Sequence, residues 1–195
     1  MRKFGQAWII VLVVLVIVVI GVFGWYIRGY NRAVNLEQGA QQAWADVDAV
    51  LQRRLDLVPN LVNTVKGYAA HEKELFENIA KSREKYFQAG QGGDRAGQIA
   101  ASNELSGFLS RLLMLVENYP DLKASQNFLT LQDQLEGTEN RISVARTRYN
   151  LAAKELNSYA REFFGSFFCK RARVGPVEYF EATGEAKTEV PKVEF

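Results

Sequence analysis

The sequence predicts an all-α protein, with one N-terminal transmembrane helix followed by an antiparallel four-helix bundle. Three observations predict this fold class. An uncharged apolar stretch runs from Ala7 to Ile27. Apolar residues then recur at helical spacings as far as Gly165. Gly and Pro interrupt this pattern at a few places only, as expected for connections between long helices.

The stretch 7–27 is long enough to cross a bilayer. Its 21 residues carry no charge, and at about 1.5 Å per residue they reach roughly 30 Å, the thickness of the hydrocarbon core. Trp8 near one end and Trp25 with Tyr26 near the other suit the headgroup regions. A cleaved signal peptide is the alternative, but its apolar core would be shorter and an A-x-A-like cleavage site is missing. We therefore expect residues 1–6 to form a short N-terminal segment and residues 7–27 to remain as the anchor.

Charge outside this anchor is balanced. Arg2 and Lys3 precede the apolar stretch, which leaves 22 basic residues against all 22 acidic residues after it. A nucleic-acid binder needs a basic face that displaces counterions, so nucleic acid is not an expected partner. Arg2 and Lys3 before the span, and Arg28 and Arg32 after it, favour an inside N-terminus only slightly by the positive-inside rule.

Three breaks divide the apolar pattern after the anchor into four helices. They lie at Pro59, at the glycine-rich run 90–94 and at Pro120. Asp56 can cap the second helix, with Pro59 in its first turn, where a missing N–H costs nothing. The alternative is that Pro59 only kinks one longer helix, which leaves three long helices. The four predicted helices span residues 28–55, 57–89, 95–118 and 122–164.

The last predicted helix has the clearest heptad pattern. Two series, offset by three residues, each recur every seven residues, and a strict 3.5-residue repeat favours left-handed supercoiling against neighbouring helices. Small residues at two inward positions of the second series would let a partner helix come close. The two series are Phe128, Leu135, Ile142, Tyr149, Leu156 and Phe163, and Leu131, Thr138, Ala145, Ala152 and Tyr159.

The helical pattern ends after Gly165. Gly, Pro and Thr appear, and from Val174 onward there are five Glu and two Lys. We expect residues 28–165 to form the bundle domain and residues 166–195 to form a C-terminal segment. That segment should be partly packed through about Phe180 and disordered after it.

Few residues of the sequence are of types that could bind a metal or take part in catalysis. His71 is the only histidine, so neither a two-histidine zinc helix nor the two Glu-x-x-His pairs of a di-iron bundle can form. Cys169 is the only cysteine; the two basic residues after it could lower its pKa, although an inert thiol is the simpler interpretation. We expect no cofactor, no metal and no enzymatic activity. An enzyme with a cleft at the Pro59 or Pro120 corners is the least favoured hypothesis.

Two segments are candidate interaction sites. Polar and charged residues around Pro59 indicate either capping with solvated charge or a partner-binding corner at one end of the bundle. Beyond the last helix, phenylalanines precede basic residues. In an up-and-down bundle this end returns to the bilayer, where rings enter the interface and cations meet anionic headgroups; alternatively, the rings close the bundle and the cations neutralise helical carbonyls. The corner comprises Arg53, Arg54, Asp56, Pro59 and Asn60, and the membrane-surface segment comprises Phe167, Phe168, Lys170, Arg171 and Arg173.

The sequence also resembles the LemA family over roughly residues 28–165. Many motif residues follow one another in the family's order, and Tyr179-Phe180-Glu181 is similar to its ending. The chain departs from the family at Phe164-Gly165, where the family usually has Phe-Pro. The matching motifs are Tyr30-Asn31, Ala43-Trp44, Val47-Asp48, the run from Arg53 to Val62, the run from Val65 to Ala69, His71-Glu72, the run from Glu117 to Pro120, Asn127-Phe128, Leu131-Gln132, the run from Thr138 to Ile142, Ala145-Arg146 and Tyr149-Asn150.

This resemblance implies one N-terminal membrane helix, an antiparallel helical bundle and no established enzymatic activity. Some relatives are linked to building membrane compartments. It also implies a bundle in the cytoplasm, which opposes the charge-based preference, so the side of the soluble domain stays open. We expect a single-pass protein of the cell membrane that acts as a scaffold or adaptor for another membrane-associated protein. A membrane-shaping homo-oligomer is the alternative.

Overall fold

The computed structural model describes residues 2–181, without the side chains of residues 2–7, 9 and 10. Over that range the protein is helical with irregular connections, so the predicted all-α class is confirmed. The predicted disordered tail lies, after Glu181, outside the described residues. The helices are α1 (Arg2–Lys66), α2 (Lys73–Gln91), α3 (Arg95–Val116), α4 (Pro120–Lys123), α5 (Gln126–Arg161) and α6 (Phe163–Ala172).

The chain divides into two compact units. Unit 1 comprises Met1–Gln42 and Leu151–Val177, and unit 2 comprises Ala43–Asn150 and Glu178–Phe195. Within unit 1, the side chains of residues 11–25 of α1 are exposed. From Val11 onward, α1 is long and apolar enough to cross a membrane. Helix α3 is also long and apolar enough to cross a membrane, but it is a partly buried core helix of unit 2.

The predicted turn at Pro59 is wrong, because Pro59 lies inside α1. The helix continues to Lys66, and the chain turns only at residues 67–72 before α2 begins. A proline inside a helix removes one backbone donor and leaves the carbonyl four residues earlier without its partner. Here that carbonyl belongs to Leu55, and Nε of Arg83 donates to it at 3.1 Å. A side chain of α2 thus replaces the hydrogen bond that the proline cannot make.

Unit 2 is an up-and-down bundle of four helices, formed by the C-terminal part of α1, by α2, by α3 and by the first part of α5. Residue pairs across the helices fix their directions. As residue numbers increase along α1, the numbers of their contact partners decrease along α2 and α5, so α1 is antiparallel to both helices. The numbers of the partners on α3 increase, so α1 and α3 are parallel. The pairs are Asp48–Tyr86 and Leu55–Arg83 with α2, Asp48–Gln98 and Arg54–Ser102 with α3, and Trp44–Tyr149 and Arg54–Glu139 with α5.

The heptad pattern of the last long helix predicts most of its buried residues and fails at its end. Phe163 is 86% exposed, because α5 ends before it and α6 begins with it. Ala145 is buried as predicted, but Ala152 is only half-buried and its neighbour Ala153 is buried instead. A straight helix drifts from a strict 3.5-residue repeat, which moves the buried stripe by one position. The buried members of the first series are Phe128, Leu135, Ile142, Tyr149 and Leu156.

The core of unit 1 joins α1, the end of α5 and α6. Its buried residues are small on α1 and larger on the other helices. The chain then leaves α6 as an irregular segment, and the side chain of Asn157 holds it by bonding both the N–H and the carbonyl of Val177. The buried core residues are Ala33, Ala40, Leu156, Tyr159, Phe168, Cys169 and Val174.

Candidate membrane-interface site

Helix α6 is bounded by two residues whose backbone conformation is not helical. Glu162 takes an extended conformation (φ −64°, ψ 148°) that separates α6 from α5. At the other end Arg173 takes the left-handed conformation (φ 60°), and the N–H of Val174 donates to the carbonyl of Cys169 at 2.9 Å. This arrangement closes the helix in the way that left-handed C-terminal caps do. The local sequence therefore ends one helix and begins another within a few residues.

Phe168 docks α6 onto α1 inside unit 1. Its ring meets the rings of Trp25 and Tyr26 edge-on, at centroid distances of 5.0 Å and 5.9 Å. It also lies directly over Gly29, where a Cβ atom would approach the ring to 2.1 Å. The side chain is 2% exposed. The missing side chain of Gly29 is therefore what lets this ring reach the backbone of α1.

Three other phenylalanines of α6 point outward. Phe163, Phe164 and Phe167 are 86%, 56% and 52% exposed. Phe164 also packs edge-on against Trp25, with centroids 5.2 Å apart. Large exposed rings are unusual on a surface that faces water, but they are typical of the boundary between water and lipid. These rings lie beside the end of the apolar span, so they can enter the same interface as Trp25.

Basic residues follow these rings on α6. Lys170 and Arg171 lie in its last turn and are exposed. Nε of Arg171 donates to the hydroxyl of Tyr26 at 3.3 Å, which brings this cation to the end of the apolar span. Arg173, the left-handed capping residue, is also exposed. Of the five residues predicted for the membrane-surface segment, these three and Phe167 are thus accessible, whereas Phe168 faces the interior.

The single thiol does not behave as its basic neighbours suggested. Cys169 is buried in the core of unit 1. Burial raises the pKa of the thiol, and the negative charge of Glu37 raises it further. The less favoured alternative, in which Lys170 and Arg171 lower this pKa, is wrong, because their side chains are exposed while the sulfur is not. The thiol therefore stays protonated near neutral pH.

The predicted partner-binding corner is not a corner of the bundle. Its residues lie in the middle of a continuous helix, since α1 runs past them to Lys66. Arg53, Asp56 and Asn60 are exposed and share one face of the helix, and Pro59 is half-buried. Arg54 points the other way and is 2% exposed. Only the three exposed residues are accessible to a partner.

Arg54 is instead the central polar residue of unit 2. Its Nη1 donates to Oγ of Ser106 at 2.8 Å and to a carboxylate oxygen of Glu139 at 2.9 Å. Its Nη2 donates to Oγ of Ser102 at 2.6 Å and to the carbonyl of the same residue at 3.1 Å. One guanidinium thus connects α1, α3 and α5. Buried residues of α1 recur at intervals of three and four residues, and Arg54 falls on this pattern, so the pattern alone would have placed Arg54 inside. The buried residues of this stripe are Trp44, Val47, Leu51, Arg54, Val58, Leu61 and Val65.

A second polar cluster of unit 2 surrounds Asp48. Its carboxylate accepts hydrogen bonds from the hydroxyl of Tyr86 at 2.6 Å and from the amides of Gln98 and Gln52 at 3.1 Å and 2.8 Å. Burial raises the pKa of Tyr86, and the neighbouring carboxylate raises it further, so the phenol remains a donor. This arrangement holds helices together. Over residues 2–181, no group of three or more His, Cys, Asp and Glu side chains is placed to hold a metal ion.

Replacing Gly29 with alanine should loosen α6. The new Cβ would lie 2.1 Å from the ring of Phe168, so the ring must move out of a tightly packed core. Cys169 lies in that core and is the only cysteine, so its rate of maleimide labelling reports the opening. We expect labelling to become about tenfold faster, because overpacking of this kind costs roughly 1–3 kcal/mol.

Gly39→Ala on the same helix is the matched control. A Cβ atom at Gly39 meets nothing within 4 Å, so labelling of Cys169 should not change. Equal labelling rates in both variants would show that the contact with Phe168 does not hold α6 in place.

The exposed apolar stretch of α1, with an aromatic and basic segment packed where that stretch ends, defines a membrane-associated helical protein. The chain belongs to the LemA family, whose sequence pattern matches residues 43–195. The predicted family is therefore confirmed. The part of the chain that matches includes all of unit 2 and the segment that carries α6.

Named relatives are similar to nearly the whole chain. Magnetosome protein MamQ 2 of Paramagnetospirillum magneticum is 24% identical in an alignment of 204 residues in length, which covers 92% of this chain and 75% of the relative. Magnetosome protein MamQ of Magnetospirillum gryphiswaldense is 22% identical, with the same coverage of both chains. Protein LemA of Metamycoplasma hominis is 23% identical over 172 residues, which cover 88% of this chain and 78% of that protein.

Proposed function

We propose that this protein is a single-pass scaffold of the cell membrane, whose bundle binds another membrane-associated protein. The observation that carries this proposal is an exposed apolar groove in unit 2, between α1 and α5. It has a volume of about 590 Å³ and lies between Ala49 and Val50 on one side and Val144 and Ala145 on the other. The apolar span would hold this surface close to other proteins of the same membrane.

The groove has the composition of a docking surface rather than of a solvated helix face. Val144 on its floor is 53% exposed, and small residues on either side leave room for another helix. An exposed apolar strip framed by polar residues is typical of a protein-binding site. Amphipathic helices bind such grooves through apolar residues that recur every three or four positions.

Charge around the groove favours an acidic partner. Arg141 and Arg148 line it from α5, while Asp46 is the one acidic residue among its lining residues. The two cations lie seven residues apart, on the same face of their helix. We therefore propose that the occupant is an amphipathic helix with acidic residues on its flanks, which belongs to another membrane-associated protein.

A self-associating, membrane-shaping oligomer is the second candidate. The same exposed floor at Val144 would then receive a second copy of this chain. Relatives whose names place them among magnetosome proteins are a further reason to test this possibility. The two candidates differ in the mass of what is bound.

Site-specific crosslinking in membranes tests the proposal. The full-length protein carries a photoreactive phenylalanine analogue in place of Val144, and the membranes are washed with carbonate before irradiation. We expect one discrete adduct, heavier than the chain by the mass of the partner. Charge reversal with Arg141→Glu and Arg148→Glu should reduce the adduct by roughly tenfold or more, because like charges across an interface cost several kcal/mol.

Leu129 is the matched control position. It is an exposed apolar residue of α5 that does not line the groove. The same analogue at Leu129 should give no such adduct. An adduct of twice the chain mass would replace the scaffold by the oligomer. Identical products at both positions, or none at Val144, would contradict the docking surface, and loss of the protein in the carbonate wash would contradict the anchor.

A further inference from the structure

Unit 1 contains a second groove, at the end of the apolar span. It lies between Trp25 on α1 and the first two turns of α6, and has a volume of about 690 Å³. Pockets that bind small molecules have volumes of a few hundred to a thousand Å³. The residues that line it are Trp25, Arg161, Glu162, Phe163, Phe164, Ser166, Phe167 and Lys170.

The aromatic lining of this groove faces outward. Phe163, Phe164 and Phe167 each expose more than half of their surface, and Trp25 is 47% exposed. Four rings therefore offer their faces or edges to whatever fills the groove. The buried ring of Phe168 holds the arrangement from behind, through its contact with Trp25. Such a surface is suited to hydrocarbon.

Cations frame one part of the groove. Arg161 and Lys170 line it and are exposed, against the one carboxylate of Glu162. Arg171 follows directly on α6 and bonds to the hydroxyl of Tyr26, the residue after Trp25. Positive charge thus lies next to the apolar lining, as the phosphate of a lipid lies next to its acyl chains.

We propose that this groove binds one anionic phospholipid of the bilayer. Arg161 and Lys170 would hold its headgroup, and the exposed rings of Phe163, Phe164 and Phe167 would receive the upper part of its acyl chains. The position beside the apolar span argues for a lipid of the membrane rather than a soluble anion, because four exposed rings add nothing to the binding of a free phosphate. The inference rests on the proposed membrane anchor, but not on the docking groove of unit 2.

Native mass spectrometry of the full-length protein tests this inference. The protein is prepared in a mild detergent with equal amounts of phosphatidylglycerol and phosphatidylcholine, and the retained lipids are counted and identified. We expect one phosphatidylglycerol to remain bound in preference to phosphatidylcholine. The double variant Arg161→Gln, Lys170→Gln should retain it about 25-fold less well, because each cation at the interface contributes about fivefold.

Two further variants separate lipid binding from general charge and from folding. Lys66→Gln with Lys73→Gln removes the same charge from exposed residues of unit 2, and should leave retention unchanged. Phe163→Asn removes the most exposed ring, so it should weaken retention without lowering the thermal unfolding temperature. Equal retention of both lipids, or unchanged retention in the double variant, would overturn the proposal. If inorganic phosphate displaced phosphatidylglycerol by competition, the groove would be a site for a headgroup-sized anion and not for a lipid. This result would also overturn the proposal.

Failure here is distinguishable from failure of the scaffold proposal. Crosslinking at Val144 reports only on the groove of unit 2, and lipid retention reports only on the groove of unit 1. A protein that gives the Val144 adduct but keeps no phosphatidylglycerol would be a scaffold without this lipid site.

Discussion

Replacing Arg54 with methionine should lower the free energy of unfolding by about 3 kcal/mol. The side chain is 2% exposed and donates to Ser102, Ser106 and Glu139. Methionine fills much of the volume but leaves these acceptors without their donor. Removing one partner of a buried charged pair costs roughly 3–5 kcal/mol. We expect the lower end of that range, since the side chain of Glu139 is 44% exposed and water can solvate it.

Urea unfolding in detergent, followed by circular dichroism, measures this effect. Arg53→Met is the matched control, because Arg53 is the exposed neighbour on the same helix and its loss should cost less than about 0.5 kcal/mol. Glu139→Gln should cost less than Arg54→Met, because the amide oxygen can still accept from the guanidinium. Similar losses for Arg53 and Arg54 would mean that the guanidinium is not the link between α1, α3 and α5.

Replacing Gly165 with alanine should destabilise unit 1 by roughly 2–3 kcal/mol. A Cβ atom at this position would lie 2.0 Å from the backbone carbonyl oxygen of Tyr159. Backbone cannot move aside as a side chain can, so the junction between α5 and α6 has to open. The ring of Phe168, three residues further along α6, would then lose its contact with Gly29.

The measurements are the thermal unfolding temperature and the labelling rate of Cys169. Gly137→Ala is the matched control, because a Cβ atom there meets nothing within 4 Å inside α5. In a helix interior this change should stabilise the protein by about 0.5–1 kcal/mol. If both glycine variants were equally stable, the close approach to Tyr159 would not constrain the junction.

Local patterns predicted much of this fold. The apolar span can be recognised from a run of uncharged residues alone, and the heptads of α5 can be recognised from a repeat along the chain. The same reasoning failed at Pro59, because a proline normally ends a helix unless something replaces its missing hydrogen bond. The replacement is Arg83, which lies 28 positions away from the carbonyl it serves. No local pattern reports a donor on another helix.

The candidate sites show the same division. The aromatic and basic residues of α6 were visible in the sequence as a candidate membrane-surface segment, because their composition is unusual. Which rings are exposed and which one faces the core was not visible, since all four phenylalanines follow one another closely. Contact with Gly29 turns Phe168 inward, while Phe163, Phe164 and Phe167 remain exposed.

By itself the sequence determined the helical class, the apolar span, the balanced charge and the family, because each depends on composition or on regular spacing. Only the tertiary structure decided that Pro59 lies within a helix, which side chains Arg54 bonds and that Phe168 docks on Gly29. Each of these depends on atoms from distant parts of the chain that meet within a few ångströms. Such meetings are set by the packing of whole helices, which a local pattern does not encode.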